Sequence, residues 1–238
     1  MPGYIMHLAH AGLVLEELER SGFCPGVRWK NRYLLGSLLP DTKARNDKKE
    51  SHFRNRRDEL KLAIPPDLKL FYRKYGRVST EPAMLGYRMH LQLDADWVNC
   101  FWDQILELLG ESGQKEELAE KITKVRILRT GNIVPVESFF SDAYYYGDFS
   151  KMNAYFMENY PVCIPEFEAG DCEVREAEWK DLTGVLSELR RLTLHVLPED
   201  AEDLRVFELP SLAAFLKENA SACAAQILGL TGSQNLEN

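Results

Sequence analysis

Apolar residues recur at helical spacing along most of the chain. Between residues 4 and 20, Ile5, Leu8, Leu13, Val14 and Leu18 share one face, and Ser21-Gly22 supplies a stop. Residues 23 to 31, around Pro25-Gly26, read as a turn. Tyr33 to Leu39 reads as a short apolar helix halted at Pro40. The stretch 41 to 59 is highly charged. Pro65-Pro66 predicts a helix start, with Leu68, Leu70, Phe71 and Tyr75 leading to Gly76. Pro82 opens the next helix, which the pattern extends as far as Leu109. Residues 111 to 120 are polar, and Ile122 to Leu128 reads as a further helix. From Pro135 to Tyr160 the chain is rich in aromatic residues and predicts one or two helices interrupted at Gly147. Residues 161 to 175 are the least helical and suit a loop or a small strand. Helices are predicted again over 179–194 and 209–228, followed by a frayed tail. Strand patterns are scarce and no repeat is visible, so the predicted class is all-α.

Composition narrows the picture. The 238 residues and 45% hydrophobic content suit a single helical domain, with 161–238 as a C-terminal helical extension of a core formed by 1–160. A net charge of -8 gives no strong nucleic-acid signal. Five cysteines, with no CxxC pair, suggest neither a disulfide framework nor a thiolate metal site. The first twenty residues lack a basic start and a long apolar run, and no apolar stretch approaches about 18 residues. The expectation is a cytoplasmic protein without a membrane span.

Within the helix predicted from Pro82, the run LGYRMHLQLDADW sets a histidine at 90 and an aspartate at 94 among apolar neighbours. Residues four apart lie one above the other on a helix, so His90 and Asp94 can converge on one ion. They cannot complete a metal shell by themselves. An imidazole–carboxylate hydrogen bond without metal accounts for the same pair. Further donors are few: the histidines are 7, 10, 52, 90 and 195, and Asp41 follows the apolar run YLLGSLLP. His7 and His10 share a face by their spacing. His195 reads as structural or exposed. The basic segment, with Lys43, Arg45, Lys48, Lys49, Arg54, Arg56 and Arg57, is broken by acids and reads first as a solvated face.

The motifs MPGYIMH at the start, LLGSLLPD at 34–41, KKESHF at 48–53 and LGYRMHLQLD at 85–94 together resemble the bacterial zinc-dependent phospholipase C family. The resemblance covers about the first 100 residues. The segment YYYGDFSKMNAYF at 144–156 is also similar to a stretch in that family's uncharacterised intracellular branch. It implies an all-helical fold shared with single-strand-specific zinc nucleases. It also implies a first metal site of Asp41, His52, His90 and Asp94. Asp94 then bridges to a second ion that takes His7, with His10 as the alternate. The family's secreted enzymes also use the free amino terminus as a ligand, and complete a third site with downstream histidines and a glutamate. This chain has no histidine between 91 and 194. Asp96, Asp148 and Glu137 are the acids available as substitutes, so the expectation is one or two ions rather than three.

Carboxylate and imidazole ligands suit zinc first, with manganese or iron as alternatives. Two such ions clamp a phosphoryl group and lower the pKa of a bound water to about 7. Lys49 and Arg54, nearest His52 in sequence, are the expected binders of phosphate oxygens, with Asp94 in the catalytic set. Glu50 or Asp96 are the expected second-layer acceptors for the imidazoles. The predicted function is a metal-dependent phosphoric ester hydrolase acting on a small phosphoester or phospholipid-like substrate. The alternative is a non-enzymatic helical protein whose reduced or vestigial metal site binds a partner. A helical metal hydrolase of the HD type is disfavoured, because the chain has no His-Asp dipeptide. A lipid substrate would call for an apolar rim, for which Trp97 and Trp102 are candidates, though core packing explains both.

Overall fold

The computed structural model describes residues 2–43, 48–54, 60–76, 79–192 and 198–234, and most of them are helical. Helices α1 (Tyr4–Arg20) and α2 (Val27–Leu38) precede a short 3-10 turn at Leu39–Thr42 and the single turn α3 (Lys48–Ser51). Then come α4 (Leu68–Tyr75) and α5 (Pro82–Asp96). The Asp67 carboxylate caps α4 by accepting the Leu70 N–H, and Glu81 caps α5 through Met84. Met1, Arg45, Arg56, Arg57 and His195 lie outside the described residues. No described helix is long and apolar enough to cross a membrane.

Helix α5 does not continue to Leu109. A π-helical turn at Trp97–Phe101 and one helical turn, α6 (Trp102–Ile105), follow it, and the chain then enters a strand. Trp97, Phe101, Trp102 and Ile105 are all buried across this transition. Strands β1 (Leu106–Leu109), β2 (Lys124–Ile127) and β3 (Ile133–Pro135) form an antiparallel sheet in that order. The expected helix at 122–128 is therefore a strand. The run Lys-Val-Arg-Ile alternates polar and apolar, with Val125 and Ile127 buried, and that period of two outweighs helix propensity. Gly131, at φ 73°, makes the turn back into β3. Arg126 pairs with Glu107, its register partner on β1. The all-α expectation is corrected to mostly helical with this small sheet.

After the sheet come α7 (Val136–Phe139) and α8 (Tyr145–Asn159). Gly147 does not interrupt a helix. It lies inside the first turns of α8, where a Cβ would come 1.8 Å from the Asp142 carbonyl oxygen, so the preceding loop packs where only glycine fits. The segment 161–175 holds no strand among its described residues. It is an irregular strap fastened to α2. The Asn31 amide exchanges two hydrogen bonds with the Glu166 backbone, both 2.9 Å, and Arg32 donates to Glu81, Glu168 and the Asp171 carbonyl. Helices α9 (Leu182–Leu192) and α10 (Leu209–Gln234) follow. Helix α10 packs along α1, and one apolar core runs from Ile5 on α1 to Ile227 on α10.

The crossing of α2 and α5 is the most extensive helix contact, and it is made of backbone against backbone. A Cβ on Gly86 would lie 2.0 Å from the Tyr33 carbonyl oxygen, and one on Gly36 would lie 2.1 Å from that of Ala83. This approach brings the last turn of α2 within hydrogen-bonding reach of His90 on α5. We predict that Gly86→Ala lowers unfolding free energy by about 1–3 kcal/mol through overpacking, as measured by urea unfolding. A neutral effect would mean that the close crossing is not required.

Candidate metal centre

Five side chains meet in the interior: His7 from α1, Asp41 from the turn after α2, His52 just after α3, and His90 and Asp94 from α5. All are buried, Asp41 being the most accessible at 5%. His52 Nε2 lies 3.3 Å from His90 Nε2, 3.3 Å from Asp94 Oδ2 and 3.5 Å from Asp41 Oδ1. His90 Nε2 is 3.8 Å from Asp94 Oδ2, and His7 Nε2 is 3.4 Å from Asp94 Oδ1. Two donors about 2.0–2.1 Å from a tetrahedral zinc ion stand about 3.3 Å apart, so these separations leave room for a shared cation as well as for direct imidazole–carboxylate contacts.

The ring orientations are fixed from behind. His90 Nδ1 donates to the Ser37 carbonyl at 2.8 Å, and His52 Nδ1 donates to the Lys48 carbonyl at 3.1 Å. A carbonyl only accepts, so His90 carries its proton on Nδ1 and turns an Nε2 lone pair toward the cluster, while His52 Nδ1 also meets Ser51 Oγ at 3.1 Å and its Nε2 faces Asp41 and Asp94. The Tyr87 hydroxyl anchors the Ser51 carbonyl at 2.5 Å, and Phe53 takes φ 51° among Phe71, Tyr75 and Tyr87. A non-glycine residue in that region costs on the order of 1–3 kcal/mol, which places local strain next to His52. Both oxygens of Asp94 and Nε2 of His7 lack a hydrogen bond of good geometry among the described residues, although His7 and His52 stand 3.4 and 3.3 Å from those oxygens and their charge interactions hold Asp94 low.

A carboxylate buried without a hydrogen bond is costly, and a divalent cation satisfies both oxygens at once. Residues His7, His90 and Asp94 form one group able to hold an ion, and Asp41, His52 and His90 form another. Because His90 Nδ1 is occupied, its Nε2 serves one ion only. Asp94 has an oxygen for each side, Oδ1 toward His7 and Oδ2 toward His52 and His90. The donor set fits one or two ions bound through oxygen and nitrogen.

Electrostatics follow from burial. His90 is pushed down to about 3 by burial and then by His7, whose ring stacks on it with centroids 3.6 Å apart. His10 is held at about 3 by burial and by His7, with Asn219 opposing. Burial would raise Asp41 and Asp94, but the surrounding histidines, with Lys48 at Asp41, hold both below the usual carboxylate range. His52 is raised: burial is outweighed by Asp41 and Asp94.

Several sequence expectations go elsewhere. His10 is buried beside His7, yet it belongs to neither ligand group, and its Nε2 has no partner among the described residues. Asp96 accepts from Gln92 at 2.7 Å and from Asn219 at 2.6 Å, tying α5 to α10 rather than orienting an imidazole. Asp148 accepts the backbone N–H groups of Arg205, Val206 and Phe207 at 3.0, 2.7 and 3.3 Å, clamping the segment before α10 onto α8. Glu137, Glu50 and Lys49 are exposed, and main-chain carbonyls take the accepting role foreseen for Glu50. Trp97 and Trp102 are buried and donate to the Tyr145 hydroxyl, so they form no surface rim.

The lysine missed in sequence is Lys48, whose ammonium contacts Asp41 Oδ1. Its place one helical turn before His52 was the available signal. Lys48, Asp41 and Pro2 separate two cavities of about 510 and 320 Å³. The larger is also lined by Arg54, Trp102, Phe140 and Tyr146, and the smaller by Tyr4, Ser150 and Asn153. Arg54 is half-buried; burial lowers its pKa, while Asp94 and Asp41 oppose that shift.

No family model, no curated protein and no solved structure matches this chain.

The histidine shifts set a pH dependence for the metal-stripped protein. His90 and His10 have folded pKa values of about 3 against an ordinary 6.5, so unfolding takes up protons below 6.5. Their neutral state favours folding above 6.5, and that contribution is lost as pH falls from 6.5 toward 3. The raised His52 contributes stability that is constant below 6.5 and is lost only as pH rises through its folded value. Asp41 and Asp94 begin to matter only below about pH 4. Stability should therefore fall between pH 7 and 5, by up to about 1.4 kcal/mol per pH unit for each titrating histidine. Urea unfolding of chelator-treated protein checks this. A flat or rising profile would contradict the buried neutral imidazoles.

Proposed function

We propose that this chain is a metal-dependent phosphoric ester hydrolase whose centre is His7, Asp41, His52, His90 and Asp94. The observation that carries the reading is the buried Asp94 carboxylate, whose oxygens face His7 and His52 at 3.4 and 3.3 Å without a hydrogen bond of good geometry, beside His90 with its Nε2 lone pair fixed inward. The resemblance of the motifs around Asp41, His52 and His90 to the zinc-dependent phospholipase C family supports the same assignment. When bound, a divalent ion supplies Lewis-acid polarisation of a phosphoryl oxygen and activation of water near neutral pH.

The chain's own residues supply the rest. Asp41 is the ligand that reaches the cavities, so a substrate approaches the centre from that side. Lys48 and Arg54 offer positive charge to phosphoryl oxygens there. The aromatic wall of Trp102, Phe140 and Tyr146 excludes water and accommodates an apolar substituent. Asp94, held between His7 and His52, sets the spacing of the whole donor set. Zinc suits the oxygen and nitrogen donors, as do manganese and iron.

The test is to strip the protein with chelator, reload it separately with zinc, manganese or ferrous iron, and assay phosphomonoesters and phosphodiesters. Metal-restored turnover is expected, and Asp94→Asn should lower it by more than about 100-fold, since even outer-layer changes at such sites cost 10–100-fold. Tightly held metal with no turnover under any ion would favour the non-enzymatic reading instead.

A further inference from the structure

We infer that Lys48 is a partner-exchanging cation. It neutralises Asp41 while no ion is held there, and it turns to the phosphoryl group of a substrate once an ion takes Asp41. The inference rests on the proposed metal centre and deepens it.

The ammonium of Lys48 sits on Asp41 Oδ1. That oxygen also faces His52 Nε2 across 3.5 Å, on the side where an ion of the first group would lie. A divalent ion and an ammonium cannot both crowd one carboxylate oxygen without strong repulsion in a buried setting. The Lys48 side chain is 24% exposed while the Asp41 side chain is 6% exposed, so the lysine reaches the carboxylate from the solvent side and has room to withdraw.

Its backbone cannot follow, because the Lys48 carbonyl accepts both the main-chain N–H of His52, at 3.0 Å, and the ring Nδ1, at 3.1 Å. Only the flexible four-carbon stem moves. Lys48 borders both cavities, so the ammonium leaves Asp41 for the space where a phosphoryl oxygen would stand. Ion binding thereby frees a cation for the anion. By linkage, a bound anion that holds Lys48 away also tightens the ion.

The experiment compares the full chain with Lys48→Met, which keeps the length of the stem without its charge, and Lys48→Arg, which keeps the charge. Calorimetric titration with zinc follows chelator treatment, and inorganic phosphate is then titrated into the zinc-loaded proteins. Lys48→Met should bind the first zinc about tenfold more tightly and inorganic phosphate about tenfold more weakly, the scale of one charged hydrogen bond removed. Lys48→Arg should hold both affinities near those of the unaltered chain. A role confined to packing would not move the two affinities in opposite directions.

Unchanged or weaker zinc binding by Lys48→Met overturns the exchange, as does unchanged phosphate binding, and so does a Lys48→Arg protein that behaves like Lys48→Met. Failure of the unaltered chain to take up zinc is a different result. It removes the metal centre itself, and the exchange with it.

Discussion

The imidazoles of His52 and His90 stand with their Nε2 atoms 3.3 Å apart, beside the buried Asp94 carboxylate, whose oxygens lie 3.3 Å from His52 and 3.4 Å from His7. His90 has its proton committed to the Ser37 carbonyl behind it, so its Nε2 lone pair faces His52, which Asp41 and Asp94 hold above its ordinary pKa. In water such a cluster would rotate apart. Here five side chains from α1, α2's following turn, α3's end and α5 are held together by packing, and their donor atoms form two groups able to hold a cation. The rest of the structure can be understood as what it takes to hold this arrangement.

That holding is done by backbone approach and by shape. Gly36 and Gly86 let α2 and α5 meet closely enough for the Ser37 carbonyl to orient His90. Phe53, in a left-handed conformation and locked among aromatic rings, fixes the end of α3 and so the direction of His52. Helix α10 covers α1 from outside, and the Asp96–Asn219 contact ties it to α5. Among the described residues Asp41 and Lys48 border both cavities, so Asp41 is the member of the cluster that faces open space.

Much of the cluster's make-up was legible because helical spacing is strong information. His90 and Asp94 share a face by arithmetic, and the motif order suggested Asp41, His52 and His7 as their companions. What could not be read was direction. Lys48 and Lys49 are adjacent in sequence, and only the path of a single helical turn decides that Lys48 points inward and Lys49 outward. Glu50 looked suited to orient an imidazole, but carbonyls, which carry no sequence signature, do that instead. The sheet was missed for a related reason. Lys124 to Ile127 alternates over only four residues, too short to outweigh the helical reading, and its partner Leu106–Leu109 follows a helix whose apolar pattern runs into it without a break. Asp148 lay in a segment of suggestive likeness, yet its carboxylate is spent on three backbone N–H groups contributed by residues some sixty positions later.

Anomalous scattering from crystals of the purified protein grown near neutral pH, recorded at the zinc, iron and manganese edges, tests the central claim most directly. The account predicts one or two peaks inside the cluster, each about 2.0–2.2 Å from the facing nitrogen and oxygen atoms. Ordered density for all five side chains with no anomalous peak among them, in protein never exposed to chelator, would contradict it.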